Sequence, residues 1–149
     1  MVVTTYIDNR KAHFNYEIIE TYEAGIELLG HEVKALKNAM GNIAGAFCIV
    51  RSGEVFIVGM NIPAYQPKNN KEDYDPDRTR KLLLSKKEIA VLADIDKGKN
   101  LTLVPLSLYS KGRRIKLSIA VAKGKKMHDK RESIKKRDTD REIRREYKR

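Results

Sequence analysis

A single cysteine, Cys48, stands among the 149 residues, which leaves no internal disulfide framework and suits a reducing cytosol. Set in FCIVR, it reads as a small core hydrophobe. No uninterrupted apolar run reaches the roughly 18 residues that a membrane-spanning helix needs. The opening stretch, MVVTTYIDNRKAHF, lacks the basic-then-apolar order of a secretory leader. Aromatic side chains amount to 7% and fall mostly at strand positions. That is a poor supply of the stacking platforms a general single-strand binder uses.

What the chain does have is an apolar share of 41%, enough for a core, at a length that suits one domain with an appendage. Its formal charge is +11, unevenly spread. Residues 123–149 hold 13 Lys/Arg against 6 Asp/Glu, a surplus of 7. Such a segment attracts polyanions, and nucleic acid is the commonest of these in a cytosol. Met127, Ile134, Ile143 and Tyr147 make no broad apolar face, so the segment is not built to insert into a membrane.

Periodicity organises the rest. YEIIETYEAGIELLG predicts a long strand bending at Gly25, and HEVKALKNA a short helix closed by Gly41. AFCIVRSGEVFIVGMNI predicts a β-hairpin about Ser52-Gly53, followed by a polar loop from Pro63 to Arg80. SKKEIAVLADIDKGK carries a capping box, Ser85 with Glu88, ahead of a helix that ends at Gly98. LTLVPLSLYSKGRRIKLSIAVAKG predicts a second hairpin about Lys111-Gly112. Pro105 lacks an N–H, so its strand is expected at an edge or bulged there. Five or six antiparallel strands with short helices fit a small closed barrel, or a β-sandwich, and an OB-type barrel is the subclass that commonly binds oligonucleotides.

Catalytic patterns are missing. Asp73, Asp75 and Asp77 alternate as in a calcium loop, but Arg78 occupies the position that requires glycine. An Asp-Pro turn, with carboxylates paired to Arg78 and Arg80, is the better reading. A metal-dependent nuclease built on those aspartates is the enzymatic rival. His13, His31, His128 and Cys48 share no metal-ligand spacing, and Gly124-Lys125-Lys126 lacks both the upstream glycine and the Ser/Thr of a phosphate loop. No catalytic residue, metal or cofactor is assigned, and a binding protein is expected.

Two basic segments remain. Arg78 to Lys81 precede the capped helix, and either contact phosphate beside its N-terminus or form a solvated loop. The terminal segment has no proline and contains the i,i+4 pairs Glu132–Lys136 and Asp140–Arg144, but no apolar stripe. It is expected to be disordered alone and helical against a polyanion. His128 within KKMHDKR is a planar ring able to stack on a base, although a lone histidine is by default solvated.

Five motifs in order, NRKA at 9–12, ETYEAGIELLGHEVKAL at 20–36, DPDRTRKLLL at 75–84, LVPLSLY at 103–109 and AKGKKMHDKR at 122–131, resemble the SmpB family, protein partners of transfer-messenger RNA (tmRNA). The resemblance spans nearly the whole chain. It implies a mainly β fold with short helices, an OB-type closed antiparallel barrel of about six strands over 1–122, and a basic tail over 123–149. It also implies a cytoplasmic, bacterial, non-catalytic protein that binds the tRNA-like domain of tmRNA and carries it to stalled ribosomes. The tail would occupy the decoding centre and messenger channel of the small subunit. Elongation factor Tu and alanyl-tRNA synthetase would be reached indirectly, through the charged RNA. A general single-stranded nucleic-acid-binding OB protein is the alternative.

By matching motif, the resemblance implies RNA-binding positions at Asn9, Glu23 and Leu83, with Lys34, Arg80 and Lys81 as neighbours. In the tail it implies Gly124, Lys125, Lys126, His128, Asp129, Lys130 and Arg131, with His128 stacking on a decoding-site base. Glu23 cannot attract phosphate; it would orient a basic neighbour or accept from a base or 2′-hydroxyl. The chain departs from the family pattern at Phe14 and Asn15, at His31 where threonine is frequent, at Tyr74 where histidine often precedes Asp-Pro, and at Ser85. Beyond Arg131 the match is loose and individual roles are not transferred.

Overall fold

The computed structural model describes residues 3–65, 73–98 and 100–125. Along the chain run β1 (Thr5–Asp8), α1 (Arg10–Asn15), β2 (Tyr16–Ile26), α2 (Gly30–Lys37), β3 (Phe47–Arg51) and β4 (Glu54–Val58). They are followed by β5 (Arg80–Leu83), α3 (Lys86–Lys97), β6 (Thr102–Lys111) and β7 (Arg114–Gly124). Every pairing is antiparallel, in the order β1-β6-β3-β4-β5-β2-β7, and β7 also pairs with β6. Six strands therefore close into a ring, with β1 attached to β6 outside it.

The β2–β7 ladder is the spine of the ring, registered from Tyr16↔Gly124 to Gly25↔Lys116. β7 is buried on both sides for a periodic reason. Leu117, Ile119 and Val121 face the main core, while Ala120 and Ala122 pack with Ala12 of α1, Val104 and Leu106 in a second cluster. Small side chains on the outer face allow this close packing. The main core gathers Leu36, Ile43, Ile57, Met60 and Leu92, all fully buried.

Several expectations hold locally. The β3–β4 hairpin turns on Ser52 and Gly53, both at positive φ, the arrangement that matches strand twist in a two-residue loop. Ser85 Oγ accepts from the Glu88 amide at 3.2 Å while Glu88 Oε1 accepts from the Ser85 amide at 3.2 Å, so the capping box of α3 is reciprocal. The ladder is bulged between Pro105 and Ser107, as the missing N–H requires. β6 is nevertheless no edge: it pairs with β1, β3 and β7.

Other expectations are corrected. α2 ends at Lys37 with Asn38 as its C-cap, so Gly41 lies four residues past the last helical residue. A Cβ at Gly41 would lie 2.8 Å from Ile7 Cδ1 and 3.1 Å from the Asn61 carbonyl, so that glycine serves close packing against β1. The second hairpin turns on Gly112-Arg113, since Lys111 pairs with Arg114. Gly112, at φ 63°, takes the first turn position, where glycine is preferred. Gly25, the expected bend, lies one residue from the end of β2, where it pairs with both Lys116 and Leu83.

Candidate nucleic-acid interface

The double pairing of Gly25 brings three distant segments together: β2, β5 and the β6–β7 hairpin. They surround a cavity of about 380 Å³ with an apolar floor, Ile26, Leu28, Val33, Leu83 and Ile115, and a basic lip, Arg113, Arg114 and Lys116. Leu83 is 48% exposed, and a Cβ at Gly25 would meet Leu83 Cβ at 3.2 Å. Two residues back along β2, Glu23 accepts from the Tyr109 hydroxyl at 2.6 Å and from Lys111 Nζ at 3.0 Å. Those two hydrogen bonds, Tyr109 first, hold its carboxyl below the usual range, and burial and Glu23 push the Tyr109 phenol up. Glu23 is thus a fixed acceptor amid cations.

Behind this surface lies a buried charge cluster. Glu32 of α2 has a fully buried side chain, and its carboxylate accepts from Arg78, from Arg80 Nε at 2.8 Å and Nη2 at 2.6 Å, from the Tyr74 hydroxyl at 3.0 Å and from the Leu29 amide at 2.7 Å. Burial alone would raise the Glu32 carboxyl, but the hydrogen bonds from Arg78, Leu29 and Arg80 outweigh it and bring it down to about 2. Arg80 spends its remaining donors on the carbonyls of Met60, Arg78 and Pro76.

The fold thereby withdraws Arg80 from the surface on which the sequence reading puts it: its side chain is wholly interior and fully bonded. The carboxylate partner of Arg78 and Arg80 is Glu32, not the aspartates of EDYDPDR. Asp75 instead accepts from the Asp77 amide, and Asp77 from Asn61 Nδ2. Lys81 is half-buried and reaches Glu54 Oε1 at 3.1 Å, while Lys34 is exposed on α2 beside Val33 of the cavity.

Asn9, Gly124 and Lys125 lie at the opposite end of the β2–β7 ladder. Asn9 is buried: its Nδ2 donates to the Pro105 carbonyl at 2.8 Å and the Ile43 carbonyl at 3.4 Å, and its Oδ1 accepts from the Ala12 amide at 3.3 Å. It therefore caps α1 and occupies the bulge of β6 at once. Gly124 pairs with Tyr16, and Lys125 donates from its amide to the Asn15 carbonyl at 3.0 Å and from Nζ to the His13 carbonyl at 3.2 Å. Lys126, His128, Asp129, Lys130 and Arg131 lie outside the described residues.

Sequence reasoning passes over Lys111, Arg113, Arg114 and Lys116 because SKGRRIK reads only as a hairpin, and over Tyr109 because it reads only as a strand residue. Four cations in seven residues were the available signal. Glu32 is legible in the sequence only as one charge on a short helix; its partners, Arg78 in a loop and Arg80 at the start of β5, lie more than forty residues away.

Comparison with known proteins places this arrangement. The family model described as SmpB protein matches residues 6–149. An SsrA-binding protein of Mycoplasma mycoides is 50% identical over 142 residues, 95% of this chain and 96% of that one. One from Mesoplasma florum is 53% identical over 94% of both, and one from Thermosipho africanus 51% over 91% of both. Among solved structures, a chain from "tmRNA-SmpB: a journey to the center of the bacterial ribosome" aligns with a TM-score of 0.68 and 42% identity, covering 81% of this chain and 85% of that one. By residues matched, by identity and by fold, the chain belongs to the SmpB family.

Proposed function

We propose that the chain binds the tRNA-like domain of tmRNA and delivers it to stalled bacterial ribosomes for trans-translation, the rescue step in which the nascent peptide is tagged. One observation carries the division of labour within the molecule. The motif residues fall at two ends of one ladder: Glu23 and Leu83 beside the basic hairpin, Asn9, Gly124 and Lys125 at the root of the tail. Nine residue steps along β2 lead from Tyr16 to Gly25, roughly 30 Å at the rise of a β-strand. Two partners can be engaged at once across that span.

In this reading residues 1–122 form an OB-type barrel, the six-stranded ring being its wall, and residues 123–149 are a separate basic tail for the decoding centre and messenger channel. His128 stacks on a decoding-site base, flanked by Lys125, Lys126, Lys130 and Arg131. The chain performs no chemistry on the RNA; elongation factor Tu and alanyl-tRNA synthetase act on the RNA it holds. The setting is the bacterial cytoplasm.

The test is binding of the tRNA-like domain against an unstructured RNA of equal length, across a salt series. Tight, salt-dependent preference for the tRNA-like domain is expected; equal affinity for both would overturn the reading.

A further inference from the structure

We propose that the free edge of β2 is a docking site for this chain's own basic tail, residues 126–149, held there until a polyanion competes for the same cations. β5 pairs with β2 only at Gly25 and Ile26, whereas β7 follows it from Tyr16 to Gly25. Over residues 17–24 one edge of β2 therefore has no strand beside it among the described residues. The N–H and C=O groups on that side are open to an added strand.

The charge of the edge selects its occupant. Residues 12–33 hold five glutamates and no lysine or arginine, in a chain of net charge +11. Glu32 and Glu23 are answered by Arg78, Arg80 and Lys111. Glu17 and Glu20 are exposed on the open stretch and form no ion pair among the described residues. Burial first, then Glu20 and Glu88, push the Tyr22 phenol up, so Glu88 of α3 adds a carboxylate near this edge. The cation that β7 sets against the stretch is Lys123, opposite Glu17. A second copy pairing here would bring glutamates against glutamates, whereas residues 123–149 carry a surplus of 7 positive charges. Ile19, in the bulge and 55% exposed, offers apolar surface to the stems of lysine and arginine.

Reach is no obstacle. Lys125 is bonded to the carbonyls of Asn15 and His13, so the tail leaves the fold beside Tyr16, where the open edge begins. The 24 residues beyond Lys125 extend to roughly 80 Å, and the open stretch is about 25 Å long. Tethering so close gives an effective concentration in the mM range, so weak contacts suffice and stay reversible. A docked tail offers fewer cations to chance polyanions, and RNA with denser charge displaces it.

The experiment uses the full chain without RNA. Cys48 is buried, so a nitroxide can be attached selectively at Ser133→Cys. Paramagnetic broadening is expected on the amides of residues 17–22. It should vanish in Glu17→Lys combined with Glu20→Lys, and in about 1 M salt, where the screening length is ~3 Å. Glu17→Asp combined with Glu20→Asp should retain it. Hydrogen exchange of the same amides should quicken about tenfold in the lysine pair, with an unchanged urea midpoint because both sites are exposed. No broadening, broadening spread evenly over the surface, or broadening that survives both charge reversal and salt would overturn the proposal. So would broadening passed from a labelled chain to an unlabelled one, which would make the occupant a second copy. Since no RNA is present, failure here leaves the preference for the tRNA-like domain untouched, and loss of that preference leaves this site standing.

Discussion

The His31 imidazole meets the Tyr74 ring edge-on, with centroids 4.4 Å apart and planes at 86°. The family resemblance marks both as departures from its usual pattern; they stand 43 residues apart in sequence, and they are in contact. The single Tyr74 hydroxyl proton lies between Glu32 Oε2 at 3.0 Å and the Ile62 carbonyl at 2.8 Å, so the pair joins α2 to the loop that carries Arg78. Each ring supplies the other's packing partner.

The pair is expected to couple. In a double-mutant cycle of His31→Thr and Tyr74→His, read by urea denaturation, the interaction should amount to about 0.5–1.5 kcal/mol. Buried His31 Nδ1 has no hydrogen-bond partner among the described residues. His31→Phe keeps the edge contact and removes that unsatisfied nitrogen, so it should stabilise the fold by about 1 kcal/mol. Additive single variants would dismiss the coupling.

Glu32 sets an acid limit on stability. Its folded-state pKa of about 2 lies below the ordinary 4.5, so its contribution is complete above pH 4.5 and is lost as pH falls toward 2. The loss at the acid end amounts to about 3 kcal/mol for a fully buried group. Glu32→Gln should be less stable than the parent at neutral pH and show a flatter decline in acid, measured by chemical unfolding at a series of pH values. A parallel decline in both proteins would mean that another group governs acid unfolding.

Asn9 is expected to act on the fold before it acts on RNA. Asn9→Ala removes a helix cap and strips the bulge carbonyl of Pro105 of its donor, at a cost of about 1–3 kcal/mol. Below its melting temperature the variant should bind the tRNA-like domain within about threefold of the parent. A much larger loss from a folded variant would place Asn9 in direct contact with RNA.

Glu23 should depend on the groups that hold it. Tyr109→Phe removes the 2.6 Å hydrogen bond and leaves the ring, so binding of the tRNA-like domain should weaken about three- to tenfold with little change in melting temperature. Combined with Glu23→Ala, Tyr109→Phe should add almost nothing. Full additivity of the two variants, followed by filter binding, would separate their roles.

Truncation after Lys123 should spare affinity for free RNA and abolish peptide tagging on stalled ribosomes. His128→Ala should reduce tagging with little change in free-RNA affinity. Normal tagging by the truncated chain would remove the decoding role from the tail.

Local order was largely legible in the residues themselves. The Ser52-Gly53 turn, the Ser85–Glu88 box and the bulge at Pro105 follow from short-range sterics and from which backbone groups can donate. So does the segregation of positive charge into a segment without an apolar face. Tertiary structure decided the rest, because burial and partnership are properties of ring closure. In RTRK, Arg80 goes inside onto Glu32 while Lys81 stays half-buried at the surface, one residue apart on opposite faces of β5. Glu23, Leu83 and Arg113 share a surface only because Gly25 pairs at once with β5 and β7. Sequence alone determined a basic, mainly β binding protein with a charged tail; the register of six closed strands decided which of its charges are left to meet RNA.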